Sequence, residues 1–538
     1  MKIVKINIQN YKLLRDVCVE LNPDVNVFVG ENDAGKSTLL EAISIATSGK
    51  LNGFAFQKQL KANLFNVDCR NDYIAALSTT PIAPPKIVLE AYCDDDASYS
   101  GTNNAFGEDC CGIRVVAEFD QQYANVYKTM LANHDVKDIP VELYCVSYKY
   151  FSGDAVAFRY APLKAVYVDT TRKDYSGMVD RFVSENITEY LSKQDQVDLS
   201  LEYRRVRAAF KESEALGRLN TSIHEDKNLN ERSISLELRE NEIDEWKRQM
   251  SISVDEIPFE HIGFGSQNSI KVELAVKNSE EQVNMILMEE PENNLSHTNM
   301  AKLIHRISLS KGKQIFISTH SSFVANKLSL NKLLLVEAGK VVSFRDISDD
   351  TVAYFTKLPG YDTLRLVLAE KVILVEGPTD DLIIQRAYLD QCGCLPIDNG
   401  VDIIAVGALA FKRYCDIAII LQKKVSVVTD NDHSIKENIE EKYEDYTNKP
   451  YLQFFYETDE NLNTIEPSVL AVNCGSDGQP TDAFKSVISK NGSLMKRDYE
   501  HILSYMTGNK AEWALRVFDS DSTIEYPQYI KDIVNEYS

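Results

Sequence analysis

Two sets of residues in this chain have types and spacing suited to phosphate chemistry. The first is Gly30-x4-Gly35-Lys36-Ser37, within FVGENDAGKSTLLEAI. Glycines let backbone close around phosphates, and the N–H groups opening the next helix point at them. A lysine at this spacing reaches the outer phosphates and the adjacent hydroxyl ligates magnesium. Gly30, Asn32, Gly35, Lys36, Ser37 and Thr38 are therefore the candidate nucleotide contacts. Further on, the apolar run in ILMEEPENNL delivers Glu289 and Glu290 to its end, the first suited to a magnesium hydration shell and the second to activating water. QIFISTH ends in Thr319 and His320, and an imidazole there can sense a γ-phosphate. ATP with Mg2+ is the ligand this set implies.

The second set is made of carboxylates. VILVEGPTDDLII puts Glu376 at the end of an apolar strand, Gly377 in a turn and Asp380 at a helix start. VSVVTDNDHS is another apolar strand, tipped by Asp430 and Asp432. On two adjacent parallel strands these groups meet in the crevice at the carboxyl edge of a sheet. Oxygen-only ligands at this density suit Mg2+ or Mn2+, not zinc. Paired cations on such a cluster suit phosphodiester cleavage. Taken singly, E-x-x-x-D is also a helix cap and D-x-D a turn; their order and their joint placement at strand ends favour a site.

The elements that must hold these residues follow from periodicity. MKIVKINIQNYKLL alternates as a strand, NVFV precedes the glycine loop, and a helix follows it. KIVLEAYC and GIRVVAEFD read as strands around a polar surface loop at 94–111, and VELYCVSY and LKAVYVDT add two more. From about 176 to 250 the chain is charged and nearly without Gly or Pro, with LEYRRVRAAFKESEALGRL and SISLELRENEIDEWKRQM helical. Strand–helix alternation then resumes. The expected organisation is a nucleotide-binding half at 1–175, a helical, dimerising insertion at 176–255, a second nucleotide-binding half at 256–345, a linker at 346–369, and an α/β domain with a helical C-terminal part at 370–538.

Composition narrows the class. With 538 residues, 44% hydrophobic and 26% charged, the chain suits a soluble protein of several domains. No apolar run reaches the roughly 20 residues of a membrane span, and the N-terminus has no signal-like core, so the expected address is cytoplasmic and the membrane is no partner. Ten cysteines without a C-x-x-C pair read as reduced and structural. A net charge of −23 argues against bulk coating of nucleic acid, but not against local contact through metal ions. Arg204, Arg205, Arg207 and Lys211 are the one basic run offered as a DNA path, and they equally describe a solvated helix face.

The order Gly30–Ser37, helical insertion, Gly263-x-Gly265-x-Gln267, Glu289-Glu290, Thr319-His320 resembles ATP-binding-cassette ATPases of the SMC/RecF type. In that group Gly265 and Gln267 would belong to a signature that closes over the nucleotide of another subunit, which implies a head-to-head dimer. Two departures stand out: the signature lacks an S-G-G core, and Glu289 replaces the usual aspartate. Gln57 and Gln59 are candidates for the Q-loop glutamine, and neither is placed securely. The sequence Glu376, Gly407, Asp430-x-Asp432 resembles the Toprim domain, and an ABC-type ATPase running into a Toprim domain is the arrangement of the OLD (overcoming lysogenization defect) endonucleases. The layout resembles the shorter subgroup that includes the Gabija nuclease subunit and retron-associated effectors.

That resemblance implies roles. Glu376, Asp380, Asp430 and Asp432 become metal ligands, with Glu376 also a candidate base; Glu466 in LNTIEPSVL matches a downstream acidic motif; Lys510 in GNKAEWALRVF matches a late basic motif and would stabilise transition-state charge. It further implies DNA as substrate, a homodimer or larger homo-oligomer, a helicase or a reverse transcriptase with its RNA as partner, and a role in phage defence. The competing expectation is a RecF-like ATP-dependent DNA-binding or scaffolding protein with an inactive Toprim fold. The complete carboxylate set argues against it, because like charges are costly to keep together without use. Topoisomerase or primase activity would need a further domain for which too little chain remains.

Overall fold

The computed structural model describes residues 1–51, 54–77, 83–94, 97–158, 162–169, 191–225, 235–237, 246, 253–277, 284–309, 312–357, 363–407 and 409–538. Much of the helical insertion expected at 176–255 lies outside these residues. They form two compact units: Met1–Lys12, Cys18–Val25 and Leu39–Ser318 make one; Leu13–Val17, Asn26–Thr38 and Thr319–Ser538 make the other.

In the first unit, strands Ile3–Tyr11, Ile87–Cys93, Cys110–Phe119 and Tyr144–Tyr150 pair antiparallel in that order. Ile87–Cys93 is buried along its whole length, as expected of a strand covered on both faces. The polar stretch 94–111 is less of a loop than its composition suggests. Ser100 and Gly101 pair with Cys111 and Cys110, which belong to the next strand. Ladder hydrogen bonds outweigh weak strand propensity there. Three strands of the same unit, Ala165–Asp169, Met285–Glu289 and Gln314–Ser318, pair parallel in that order. Helices Phe264–Lys277 and His297–Leu309 belong to the same unit.

Two further helices are described in the insertion. Lys193–Lys211 opens on a reciprocal cap in which Ser192 and Asp195 each accept the other's backbone N–H, and Glu214–Glu225 follows. Lys193–Lys211 has no buried residue, and Val197, Leu201, Val206 and Phe210 are exposed along it.

In the second unit, Leu333–Glu337 pairs parallel with residues 27–29 and antiparallel with Lys340–Ser343. The described part of the expected linker is helical: Asp349–Lys357 and Thr363–Leu368. The first of these is clamped by Asp416 of helix Phe411–Leu421, whose carboxylate accepts from Thr351 Oγ1 at 2.5 Å and from Tyr446 Oη at 2.9 Å. A four-stranded, all-parallel sheet follows, in the order Val401–Ala405, Lys371–Val375, Val425–Val428, Leu452–Phe455. Its first strand in sequence thus lies between the second and third. The chain leaves that strand in one direction to form Val401–Ala405 and returns on the other side, a topological switch point. Helices Pro378–Cys392, Ile465–Val472, Lys510–Asp519 and Gln528–Tyr537 share one buried core with this sheet, with Tyr388, Trp513 and Ile530 fully buried in it.

Candidate functional site

The glycine loop is a backbone construction. It leaves the strand Val25–Val29 and enters the helix Lys36–Ser48. A Cβ on Gly30 would stand 2.3 Å from the Val336 carbonyl oxygen, so only glycine lets the loop lie against the strand Leu333–Glu337. Gly35 (φ 110°) and Asp33 (φ 62°) bend the backbone through the left-handed region. Lys36 is buried, and its Nζ donates to the carbonyls of Gly30 at 2.8 Å and Glu31 at 2.7 Å. The ammonium thus rests on its own loop, at the place where phosphate oxygens would replace those carbonyls. Asn32 and Ser37 are exposed, and Thr38 is buried in the first helical turn. A phosphate-binding loop with its lysine already inside the cradle fits ATP.

Glu289 ends the strand Met285–Glu289 and accepts from Tyr167 Oη at 2.7 Å. Glu290 takes a positive φ of 44° and accepts from Asn293 Nδ2 at 3.1 Å. Gly265 sits in the first turn of the helix Phe264–Lys277, and a Cβ there would lie 2.3 Å from the Asn294 carbonyl oxygen. Asn268 Nδ2 donates to Asn293 O at 3.0 Å. The G-x-G-x-Q segment is therefore packed on the E-E-P-E-N-N turn of its own chain. Gln267 is buried, with Nε2 on the Ile262 carbonyl at 3.0 Å. Both ends of the Gln57 amide are bound to the strand Tyr144–Tyr150, through Tyr144 O and Val146 N. His320 is exposed just after Gln314–Ser318.

The carboxylates collect at the switch point. Glu376 follows Lys371–Val375, and Asp430 follows the neighbouring Val425–Val428. Glu376 Oε1 accepts from Thr429 Oγ1 at 2.9 Å and from Asp430 N at 3.1 Å, which ties the two strand tips together. Asp380 caps the helix Pro378–Cys392 by accepting from Gly377 N at 3.0 Å. The capping reading and the site reading are therefore both satisfied by one side chain. Burial, and then Glu376, push the Asp380 carboxyl up to about 7. Burial pushes Asp430 up to about 9, with further contributions from Glu376, Asp380, Glu466 and Asp432. Asp432 stands at the exposed rim with φ 46°. Asn431 holds this turn from inside, donating to Glu457 O and Asp459 O and accepting from His433 N.

Glu466 and Lys510 come together as well. Glu466 is 1% exposed, and its Oε2 accepts from Thr464 Oγ1 at 2.8 Å. Its Oε1 accepts no hydrogen bond, and Lys510 Nζ stands 3.5 Å away as an ion-pair partner. Four side-chain carboxylates from three segments, with Asp432 at the rim, thus share one crevice, with Lys510 beside Glu466. Tyr529, on the last helix, escapes local sequence reasoning. It is buried, and its hydroxyl is pushed well above its ordinary value by burial and by Asp380, Asp430, Glu457 and Glu466. Thr429 was legible in principle, since it directly precedes Asp430 at the strand tip.

Among the described residues, no group of three or more His, Cys, Asp or Glu stands in metal-ligating geometry. The donor chemistry nonetheless fits a hard divalent cation. It is oxygen only, it includes a buried carboxylate oxygen without a hydrogen bond, and its mutual repulsion is what a cation would relieve. Among the described residues, no helix is long and apolar enough to cross a membrane.

Residues 1–325 match the AAA ATPase domain family, and residues 367–432 match the TOPRIM domain of overcoming lysogenization defect protein-like proteins. The DNA replication and repair protein RecF of Staphylococcus haemolyticus is 37% identical over 60 residues, 11% of this chain and 16% of that protein. RecF of Colwellia psychrerythraea is 38% identical over 50 residues, 9% of this chain and 13% of that protein. The chain thus spans less than a fifth of the length of these curated relatives. Among solved structures, the SMC head domain of Thermotoga maritima is 15% identical with a TM-score of 0.31, covering 64% of this chain and 99% of that one. A likeness at that level carries no weight here. With an ATPase domain over its first 325 residues and an OLD-like TOPRIM domain after it, the chain belongs to the OLD family of ATPase–Toprim proteins.

Proposed function

We propose that the chain is an ATP-binding, metal-dependent DNA endonuclease that cuts phosphodiester bonds at the Glu376 crevice, under control of the nucleotide held by the Gly30–Ser37 loop. The observation that carries the reading is the gathering of Glu376, Asp380, Asp430 and Glu466 at a sheet switch point, with Lys510 beside them. Buried like charges raise one another's proton affinity and cost stability, so their presence calls for a ligand that uses them.

In this reading Asp380, Asp430 and Asp432 hold Mg2+ or Mn2+ together with Glu376. A bound cation supplies positive charge to the phosphodiester oxygens and to attacking water. Glu376, joined to Asp430 N and Thr429 through Oε1, keeps its second oxygen for a proton from that water. Lys510, exposed and paired with Glu466, meets the charge that develops on the phosphate. At the other loop Lys36 exchanges the Gly30 and Glu31 carbonyls for phosphate oxygens, Ser37 ligates Mg2+, Glu289 and Glu290 serve the metal shell and the water, and His320 reads the γ-phosphate. Assembly as a homodimer, a helicase or reverse-transcriptase partner, and a role against phage DNA belong to the same reading, supported by family membership alone.

Nicking of supercoiled plasmid with Mg2+ or Mn2+ tests it, comparing wild type with Glu376→Ala. Cutting that needs the metal and the glutamate is expected. Equal cutting by both proteins, or cutting in EDTA, would overturn the assignment, and no cutting by either would leave the RecF-like binding role in its place.

A further inference from the structure

The second compact unit contains both the phosphate loop and the carboxylate sheet, so a continuous path between them can be traced within one body. It begins at the strand carrying the loop, where Thr319 N donates to Phe28 O at 3.0 Å. Ser321 N donates to Thr319 Oγ1 at 3.0 Å, and Ser321 Oγ caps the helix Ser322–Leu328 by accepting from Val324 N. His320 therefore sits inside a hydrogen-bonded clasp between the nucleotide strand and this helix.

The helix then meets Thr363–Leu368 through a buried polar contact: Thr363 Oγ1 donates to Asn326 Oδ1 at 2.5 Å. Both residues are fully buried, among Val324, Ala325, Leu328 and Leu364. A hydrogen bond between two fully buried polar side chains favours the register of the two helices in which it forms. The far end of Thr363–Leu368 is held by Lys423, whose Nζ donates to Val367 O at 2.5 Å and to Leu366 O at 3.3 Å. Burial pulls the Lys423 ammonium down, opposed by Glu337, by Glu31 of the phosphate loop and by Glu370. Two residues beyond that helix begins the strand Lys371–Val375, which ends at Glu376.

We infer that Thr363 and Asn326 are positioning residues: their buried hydrogen bond fixes the strand that carries Glu376 relative to the His320 segment, so that nucleotide state at the phosphate loop reaches the carboxylate crevice. This rests on the nuclease reading for its consequence in cutting, but not for its structural content. A displacement of the His320 clasp cannot be absorbed by slippage between the two helices while that bond holds. Without it, the two helices lose a directional contact, and packed helices tolerate small sliding.

The test compares wild type, Thr363→Val, Thr363→Ser and, as a control, Tyr526→Phe, which removes the 2.5 Å hydrogen bond from Tyr526 to Asp390 elsewhere in the same unit. Hydrogen exchange across Lys371–Val375 is measured with and without a non-hydrolysable ATP analogue, alongside nicking and analogue affinity. In wild type, Thr363→Ser and Tyr526→Phe, the analogue should change exchange at this strand and alter the nicking rate by at least about fivefold. In Thr363→Val both ratios should fall to about one, with analogue affinity unchanged. A wild-type response retained in Thr363→Val, or lost equally in Tyr526→Phe, overturns the positioning role. So does wild-type exchange at Lys371–Val375 that ignores the analogue, whether or not Thr363→Val folds. If no protein nicks DNA while exchange follows the expected pattern, the nuclease reading fails and the positioning role stands.

Discussion

The phosphate loop and the carboxylate crevice are opposite solutions to holding charge. At the loop, the buried Lys36 ammonium has two carbonyl partners at 2.7 and 2.8 Å. At the crevice, burial first and neighbouring carboxylates second push Asp380 up to about 7 and Asp430 up to about 9, and Glu466 Oε1 has no hydrogen bond. In the proposed reading, the first site exchanges these bonds on binding nucleotide and so reports occupancy by rearranging, while the second is the reaction centre. The second is uncomfortable until something positive arrives and so is poised for chemistry. A switch and a reaction centre have these contrasting requirements.

The contrast can be broken most forcefully through chemistry. Asp430→Ala should lower metal-dependent nicking by about a thousandfold or more, as removal of a metal ligand does, and plasmid relaxation measures it. Lys510→Met should have a smaller effect, about ten- to a hundredfold in single-turnover rate, because one cation near the transition-state charge is lost. If Lys510→Met were silent, the 3.5 Å contact with Glu466 would be structural only.

Stability sharpens the comparison from the other side. Asp380 and Asp430 titrate higher in the folded protein than in an unfolded chain, near 4, so the folded state holds the extra protons between those values. In EDTA, stability is therefore full below about pH 4 as far as these two groups are concerned, and falls as pH rises towards 7 for Asp380 and 9 for Asp430. The thermal midpoint should drop between pH 5.5 and 8.5, and Mg2+ should restore it at the high end. Asp430→Asn should flatten that slope and stabilise the metal-free protein by on the order of a few kcal/mol while abolishing cutting. A midpoint that rises with pH in wild type, with no change of slope in Asp430→Asn, would contradict the frustration ascribed to the crevice. The smallest effect is expected at the signature segment: Gly265→Ala places a Cβ 2.3 Å from Asn294 O and should cost about 1–3 kcal/mol by chemical denaturation.

The same contrast governs what could be read from the sequence. The loop is contiguous and made of backbone, so Gly30 to Ser37 carries its own structural instructions, and the strand before and helix after it stand where the pattern requires. The crevice is assembled from distant segments. Glu376 and Asp430 were legible because each follows an apolar strand, with Asp380 and Asp432 just beyond them, and those strands are parallel neighbours. Glu466 and Lys510 were nominated by family resemblance alone, and the structure brings them to 3.5 Å from each other. Tyr529 was invisible because its approach depends on the packing of the last helix, Gln528–Tyr537, which no local pattern encodes. Likewise, nothing in 346–369 announces that Thr351 will bond to Asp416 and Thr363 to Asn326; these contacts turn an expected linker into packed helices.

One experiment addresses the division of labour directly: nicking by wild type, Lys36→Ala and Asp430→Ala, each with Mn2+ and with or without ATP. Asp430→Ala is expected to be inactive in every condition, while Lys36→Ala cuts at one rate that ATP no longer changes. Cutting by Asp430→Ala, or a Lys36→Ala protein that still follows ATP as wild type does, would contradict the assignment of reaction to the crevice and control to the loop.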